Sequence, residues 1–193
     1  MTSDWVTTLA RLESMTTSRS LVFLSVQEQE ALTGPPGHAV DQLSVALCRL
    51  ALSTGIHPAV WSRPHEYGLR VSSSYLDYHR PKTFKHVTIP WSTAMKESGV
   101  LTVLAHATSK TPEYYAQLVS GHAEAAGIPG RTAFLRLRHT HIVNLARLGY
   151  DAFTISHRTG TSLSSIGRHY TVGMAEGRRL TEQERGYLAW LIE

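Results

Sequence analysis

The chain has 193 residues, a mass of 21.4 kDa, 42% hydrophobic residues and a formal net charge of +4, with a pI of about 9.4. That length suffices for one well-buried domain, and the basic balance suits a polyanion partner. A single cysteine, Cys48, excludes an internal disulfide. No apolar run reaches the roughly 18 residues of a spanning helix, and the start MTSDWVTTLARLES lacks the layout of a signal peptide. A cytoplasmic protein with no membrane partner is expected.

Taken in order, residues 2–15 predict a short amphipathic helix through Trp5, Leu9 and Leu12, and TTSRS reads as a linker. LVFLSV (21–26) is apolar, and VQEQEALTG predicts a short helix stopped by Gly34 and Pro35-Pro36. The strongest helical pattern runs from His38 to Thr54, apolar nearly all round, which places it inside a core. Gly55 ends it. The stretch IHPAVWSRPHEYG, broken by two prolines, is expected to be irregular. Residues 71–79 and 85–90 then predict a β-hairpin around the basic turn RPKTF, with Lys82 and Lys85 at its tip or on its returning strand.

Leu101–Ala107 is expected to be helical or a short connector. Thr111-Pro112-Glu113 opens a helix that runs to about Ala126. Arg138 opens a helix that stops at Gly149, Asp151 caps the next, which Gly160 ends, and Ser162 caps a third carrying Arg168, His169 and Tyr170. Thr181 and Glu184 form a capping box for a closing helix with Leu188, Leu191 and Ile192.

The segment from Leu135 to Tyr170 resembles the tyrosine recombinase (phage integrase) family. That family carries HxLRHT, then a turn ending in Gly and His or Trp, then a tyrosine in a short helix. Here LRLRHT stands at 135–140, GTS at 160–162 and HYT at 169–171. The apolar helix ending ALSTG and the hairpin ending KHVTIP match upstream features in order and spacing. The resemblance covers roughly residues 20–175. It implies a mainly α fold with a small antiparallel β-sheet (α+β), like the recombinase catalytic domain. Residues 1–20 would be an N-terminal helix or arm, 21–175 the catalytic-domain-like unit, and 176–193 a C-terminal helix that packs on another protomer.

In the family the tyrosine attacks a DNA phosphate and forms a 3′-phosphotyrosyl link. Arginines and histidines hold the non-bridging oxygens, and a hairpin lysine protonates the leaving oxygen. Planar guanidinium forks suit that charge because each offers paired donors. By resemblance, Tyr170 holds the nucleophile position, Arg138 that of the second arginine and Lys85 that of the hairpin lysine. Three family positions are substituted: His57 for the first arginine, Leu135 for a histidine, and Thr161 for the histidine or tryptophan. Val60 replaces a glutamate. A second register, GLRVS at 68–72, would make Arg70 the first arginine. It leaves Arg70 only 15 residues before Lys85 and follows a proline-broken loop, so the His57 register is preferred.

An arginine on a phosphoryl group is worth roughly 10³–10⁵ in rate, whereas DNA affinity is spread over many phosphate contacts. The resemblance with these substitutions therefore implies a sequence-specific double-stranded DNA-binding protein with cleavage weak or lost, a regulator or accessory factor of a mobile element or plasmid. It would act as a homo-oligomer on DNA or with a partner recombinase. The expected DNA-contacting residues are Lys82, Lys85, Arg136, Arg138, His139, Arg158 and Arg168. Two alternatives stand beside this: an active, divergent recombinase cleaving through Tyr170, and a helical interaction module that binds no DNA. No cofactor or metal is expected, since no HExxH and no Cys/His zinc spacing is present.

Overall fold

One helix lies at the centre because it has no polar side to show to water. In the computed structural model, which describes residues 23–97, 99–106, 110–128, 134–167 and 180–193, that helix is α2 (Leu43–Thr54). Leu47, Cys48, Leu50, Ala51 and Leu52 are fully buried. Around it pack α1 (Val26–Thr33), α4 (Thr93–Lys96), α5 (Val100–Ala105), α6 (Pro112–Ala125), α7 (Phe134–Arg147) and α9 (Glu182–Ile192). Among the described residues there are also the helices α3 (Pro58–Ser62) and α8 (Ala152–Thr159) and a helical stretch at 163–167.

Three antiparallel strands form the sheet in the order β1 (Arg70–Val71), β2 (Tyr75–His79), β3 (His86–Pro90). Leu76 pairs with Ile89 and Tyr78 with Val87, and these four side chains point into the core while their neighbours face out. The fold is thus mainly α with a small antiparallel sheet, as the sequence predicts. Among the described residues no helix is long and apolar enough to cross a membrane.

Buried polar pairs tie α7 to the rest. Asn144 and Gln29 exchange amide hydrogen bonds, Nδ2 to Oε1 at 2.7 Å and Nε2 to Oδ1 at 3.3 Å. The Leu24 N–H donates to the Thr140 hydroxyl at 2.9 Å. Each pair removes groups from water that would cost about 1–3 kcal/mol if left unpaired.

Four expectations need correction, the first at Arg138, which lies one turn inside α7 (Phe134–Arg147) rather than opening it. The predicted helix from His38 begins only at Leu43, because 38–42 run along the turn before α5: the Gly37 N–H donates to the Glu97 carboxylate at 3.0 Å, and Val40 is buried. The stretch IHPAVWSRPHEYG is not wholly irregular. Pro58 stands at the start of α3, where its missing N–H costs nothing, and the His57 ring caps that helix. Residues 71–79 are two strands rather than one, since the Ser72 hydroxyl accepts the N–H groups of Ser74 (3.1 Å) and Tyr75 (2.9 Å) and turns the chain. Ser92 caps the unanticipated α4.

The predicted helix at 2–15 and the arm at 1–20 lie outside the described residues. The capping box of α9 forms as expected. Its apolar face, including Tyr187, Leu188, Leu191 and Ile192, is covered by its own chain. The Tyr187 and Thr33 hydroxyls lie 3.0 Å apart, and the Trp190 indole N–H donates to Glu97 at 2.8 Å.

Candidate nucleic-acid interface

Two helices end at the same place. Helix α2 closes on Gly55, which adopts the left-handed conformation (φ 63°), and α8 closes on Gly160 (φ 61°). A side chain at Gly55 would put its Cβ 2.8 Å from the His141 ring, so both backbone angle and space demand glycine there. Three residues later the chain re-enters a helix, and this elbow holds His57.

Arg138 fills the angle between the two helix ends. Its Nη1 donates to the Gly55 carbonyl, and its Nη2 donates to the Thr159 carbonyl at 2.7 Å and the Thr161 hydroxyl at 2.8 Å. The side chain is 8% exposed. Carbonyls at helix C-termini carry partial negative charge, so two helix ends rather than a carboxylate balance this guanidinium. Three of its five N–H donors are engaged within the protein. Burial lowers the Arg138 pKa, and the buried Tyr78 hydroxyl beside it works the other way. One turn on, His141 is fully buried with Nδ1 2.8 Å from the Leu52 carbonyl; burial pushes its pKa down to about 3.

His57 is the N-cap of α3, with Nδ1 accepting the Ala59 N–H at 3.1 Å. Burial first, then the positive charges of Arg138, Lys82 and Arg80, lower its pKa, so the ring is neutral at pH 7. With Nδ1 an acceptor, the proton sits on Nε2 as a donor. The His57 ring therefore offers one directed donor where an arginine would offer a paired fork.

Arg80, at the end of β2, was not singled out by the sequence pattern. Its stem crosses Gly160: a Cβ placed there would lie 3.0 Å from Arg80 Cδ and 3.3 Å from Val87 Cγ2. Burial lowers the Arg80 pKa, and among the described residues the Tyr78 hydroxyl rather than a carboxylate works against that. The turn that carries it is closed by the Phe84 N–H on the Arg80 carbonyl (2.8 Å) and the Arg80 N–H on the Lys85 carbonyl (3.0 Å). Phe84 accepts a left-handed φ of 50° to do so. The sequence signal for Arg80 is the basic run RPKTFK, whose three cations the pattern alone does not distinguish.

Lys82 and Lys85 are exposed on this turn. Lys85 lines a cavity of about 560 Å³ with His86, Phe153, Ser156, His157 and Gly160. Other expected contacts fall elsewhere. Arg136 is 9% exposed and faces Glu28 at 3.7 Å, on the side of α7 opposite Arg138, because residues two apart on a helix do not share a face. Arg158 donates to the Ile192 carbonyl at 3.1 Å and lies over the Tyr150 ring, fastening α9. Neither is presented as an open cation. His139 is half-buried. Arg70 stands on the edge strand opposite Asp77, and the Arg138 charge acts on the His57 ring. Leu135 is exposed and Val60 is buried. Thr161 is a buried acceptor for Arg138 rather than a donor. Arg168, His169 and Tyr170 lie outside the described residues. Among the described residues no three His, Cys, Asp or Glu side chains converge as metal ligands.

No family model and no curated protein matches this sequence. Solved structures do. The XerH site-specific recombinase bound to palindromic difH substrate, after cleavage, superposes with a TM-score of 0.57 at 15% identity, over 77% of this chain and 49% of that one. The same recombinase bound to difH before cleavage gives a TM-score of 0.56 at 14% identity, over 78% and 50%.

The fold is tyrosine recombinase-like.

On this recombinase-like scaffold the chain spans about half the length of the XerH structures it matches. Arg138 bonds Thr161 where α8 ends, the Arg80 stem lies against Gly160, the charges of Arg138 and Arg80 reach His57, and Lys85 lines a cavity with Gly160.

Proposed function

We propose that this chain is a sequence-specific double-stranded DNA-binding protein on a tyrosine recombinase scaffold, with strand cleavage weak or lost. DNA binding is supported by the likeness to recombinase structures solved on DNA and by the cations around the β2–β3 turn. The observation that carries this reading is at His57: where the resemblance asks for an arginine fork, an imidazole stands with Nδ1 already engaged by the Ala59 N–H. Losing one arginine on a phosphoryl group costs roughly 10³–10⁵ in rate, while binding loses one contact among several. The chain would serve as a regulator or accessory factor of a mobile element or plasmid in the cytoplasm. It would act as a homo-oligomer on DNA or beside a partner recombinase.

A second reading is favoured by the nearness of Arg80 to Arg138: a divergent recombinase that still cleaves through Tyr170. Selection on a randomised duplex pool carrying nicks separates the two. Bound DNA is split into native and SDS-denatured fractions, wild type beside Tyr170→Phe. The expected result is DNA enriched natively and released by SDS from both proteins. An SDS-resistant adduct on wild type alone establishes the second reading instead.

A further inference from the structure

We propose that Arg80 replaces, from the hairpin turn, the arginine that position 57 lacks, and that Arg80, the Nε2–H of His57 and Lys82 together bind one DNA backbone phosphate beside Arg138. The proposal rests on the DNA-binding reading above and names the group at which the backbone is held.

The geometry starts at Gly160. Its chain neighbours, Thr159 and Thr161, both accept from Arg138 Nη2. The Arg80 stem lies across the glycine between them. The two guanidinium groups therefore approach the same point from different elements, Arg138 from inside and Arg80 from the turn. Gly55, whose carbonyl takes the third Arg138 bond, is two residues from His57. The elbow brings the His57 ring to the same charges, those of Arg138, Lys82 and Arg80.

The electrostatics ask for an anion. Arg138 has helix-end carbonyls as acceptors. Among the described residues the Arg80 guanidinium has no hydrogen-bonded or ion-paired acceptor, and no carboxylate acts on His57, Arg80 or Arg138. A half-buried guanidinium without a partner is costly unless a ligand supplies the charge. Arginine brings a planar fork that matches two phosphate oxygens. The His57 ring adds one directed donor, and a cavity lined by Lys85, His157 and Gly160 opens on the Lys85 side of that glycine. The turn geometry fits a fixed role: Phe84 holds a left-handed backbone that closes the turn on the Arg80 carbonyl.

The test uses the full chain in two measurements. In the first, histidine side-chain NMR follows the His57 ring while inorganic phosphate is added. Phosphate is expected to shift the His57 resonances and raise its pKa in wild type and in Arg63→Ala, whose exposed arginine is already paired with Glu66 at 3.3 Å, and to do neither in Arg80→Gln. In the second, fluorescence anisotropy follows the selected duplex. Arg80→Gln is expected to weaken binding about tenfold and to reduce the salt slope by about one; Arg80→Lys keeps the slope, and Arg63→Ala changes neither. Equal phosphate response and equal DNA affinity in wild type and Arg80→Gln would overturn the proposal while leaving DNA binding intact. An Arg80-dependent phosphate response in a protein that binds no duplex would instead uphold the anion site and remove the DNA reading.

Discussion

Arg138 and His141, one turn apart on α7, both bond to the end of α2. His141 meets the Leu52 carbonyl at 2.8 Å and Arg138 meets the carbonyl of Gly55. Helix ends leave carbonyls without intrahelical partners. Here the segment LRHTH supplies those partners, so part of the motif that resembles a catalytic signature builds the scaffold.

The first prediction concerns Arg138. Replacing it with alanine strips the Gly55, Thr159 and Thr161 acceptors together. Stability should fall by about 3 kcal/mol or more, read as the urea unfolding midpoint with m unchanged. Arg138→Lys keeps the charge without the fork and should fall between. An unchanged midpoint for Arg138→Ala would show that the buried network carries no weight.

Acid should act through His141. Its folded pKa, about 3, lies below its ordinary value near 6.5. The unfolded chain therefore takes up a proton that the folded chain refuses. The stability this group contributes is fully present above pH 6.5 and is lost as pH falls toward 3, with a slope approaching roughly 1 kcal/mol per pH unit. Unfolding measured at several pH values should show a flatter slope between pH 6.5 and 5 for His141→Gln. Parallel curves would assign the acid sensitivity elsewhere.

The two glycines should rank. Alanine at either pays about 1–2 kcal/mol for a left-handed backbone. At Gly55 the added Cβ also meets the buried His141 ring at 2.8 Å, whereas at Gly160 it meets the flexible Arg80 stem at 3.0 Å. Gly55→Ala should thus lower the melting temperature more than Gly160→Ala. The reverse order would mean that Arg80 is packed more rigidly than the buried ring.

Basic residues should separate by assay. Lys82→Ala and Lys85→Ala should each reduce the salt slope of duplex binding by about one. Arg136→Ala and Arg158→Ala should leave that slope alone and lower thermal stability, since these side chains are engaged with Glu28 and the Ile192 carbonyl. A smaller salt slope for Arg136→Ala would place it on DNA after all.

Deleting residues 181–193 should abolish cooperative unfolding. The helix buries Tyr187, Leu188, Leu191 and Ile192 against α1, α2 and α4, and each such side chain is worth about 1.5–3 kcal/mol. A truncated chain that still melts in one sharp transition would show this helix to be dispensable.

The helix pattern was legible where periodicity, caps and glycine stops agreed, as at Gly55, Thr111, Asp151 and Thr181. It misled where tertiary contacts overrode it. Segment 38–42 stays outside the helix, with Gly37 before it held by Glu97, and nothing local announces that. Pro58 reads as a breaker but starts a helix. The site was half legible. Position in the resemblance picked out Arg138 and Thr161, which are bonded at 2.8 Å, and His57, whose pKa the Arg138 charge lowers. It could not tell Arg138 from Arg136, which needs the direction of each side chain from one helix. Nor could it find Arg80, whose place depends on a left-handed phenylalanine and a bare glycine 80 residues away.

The bonds that clamp α7 onto the first third of the chain join residues far apart in order. Arg138 and Gly55 are 83 positions apart, Asn144 and Gln29 115, Thr140 and Leu24 116. During synthesis α2 therefore leaves the ribosome long before its partner exists. At about 5–20 residues per second, the wait until Arg147 has been added lasts on the order of 5–20 seconds. Through that interval a helix apolar on nearly every side has no cover from α7 or α9. Yield in a cell should depend on chaperone supply during translation more than on the stability of the finished fold.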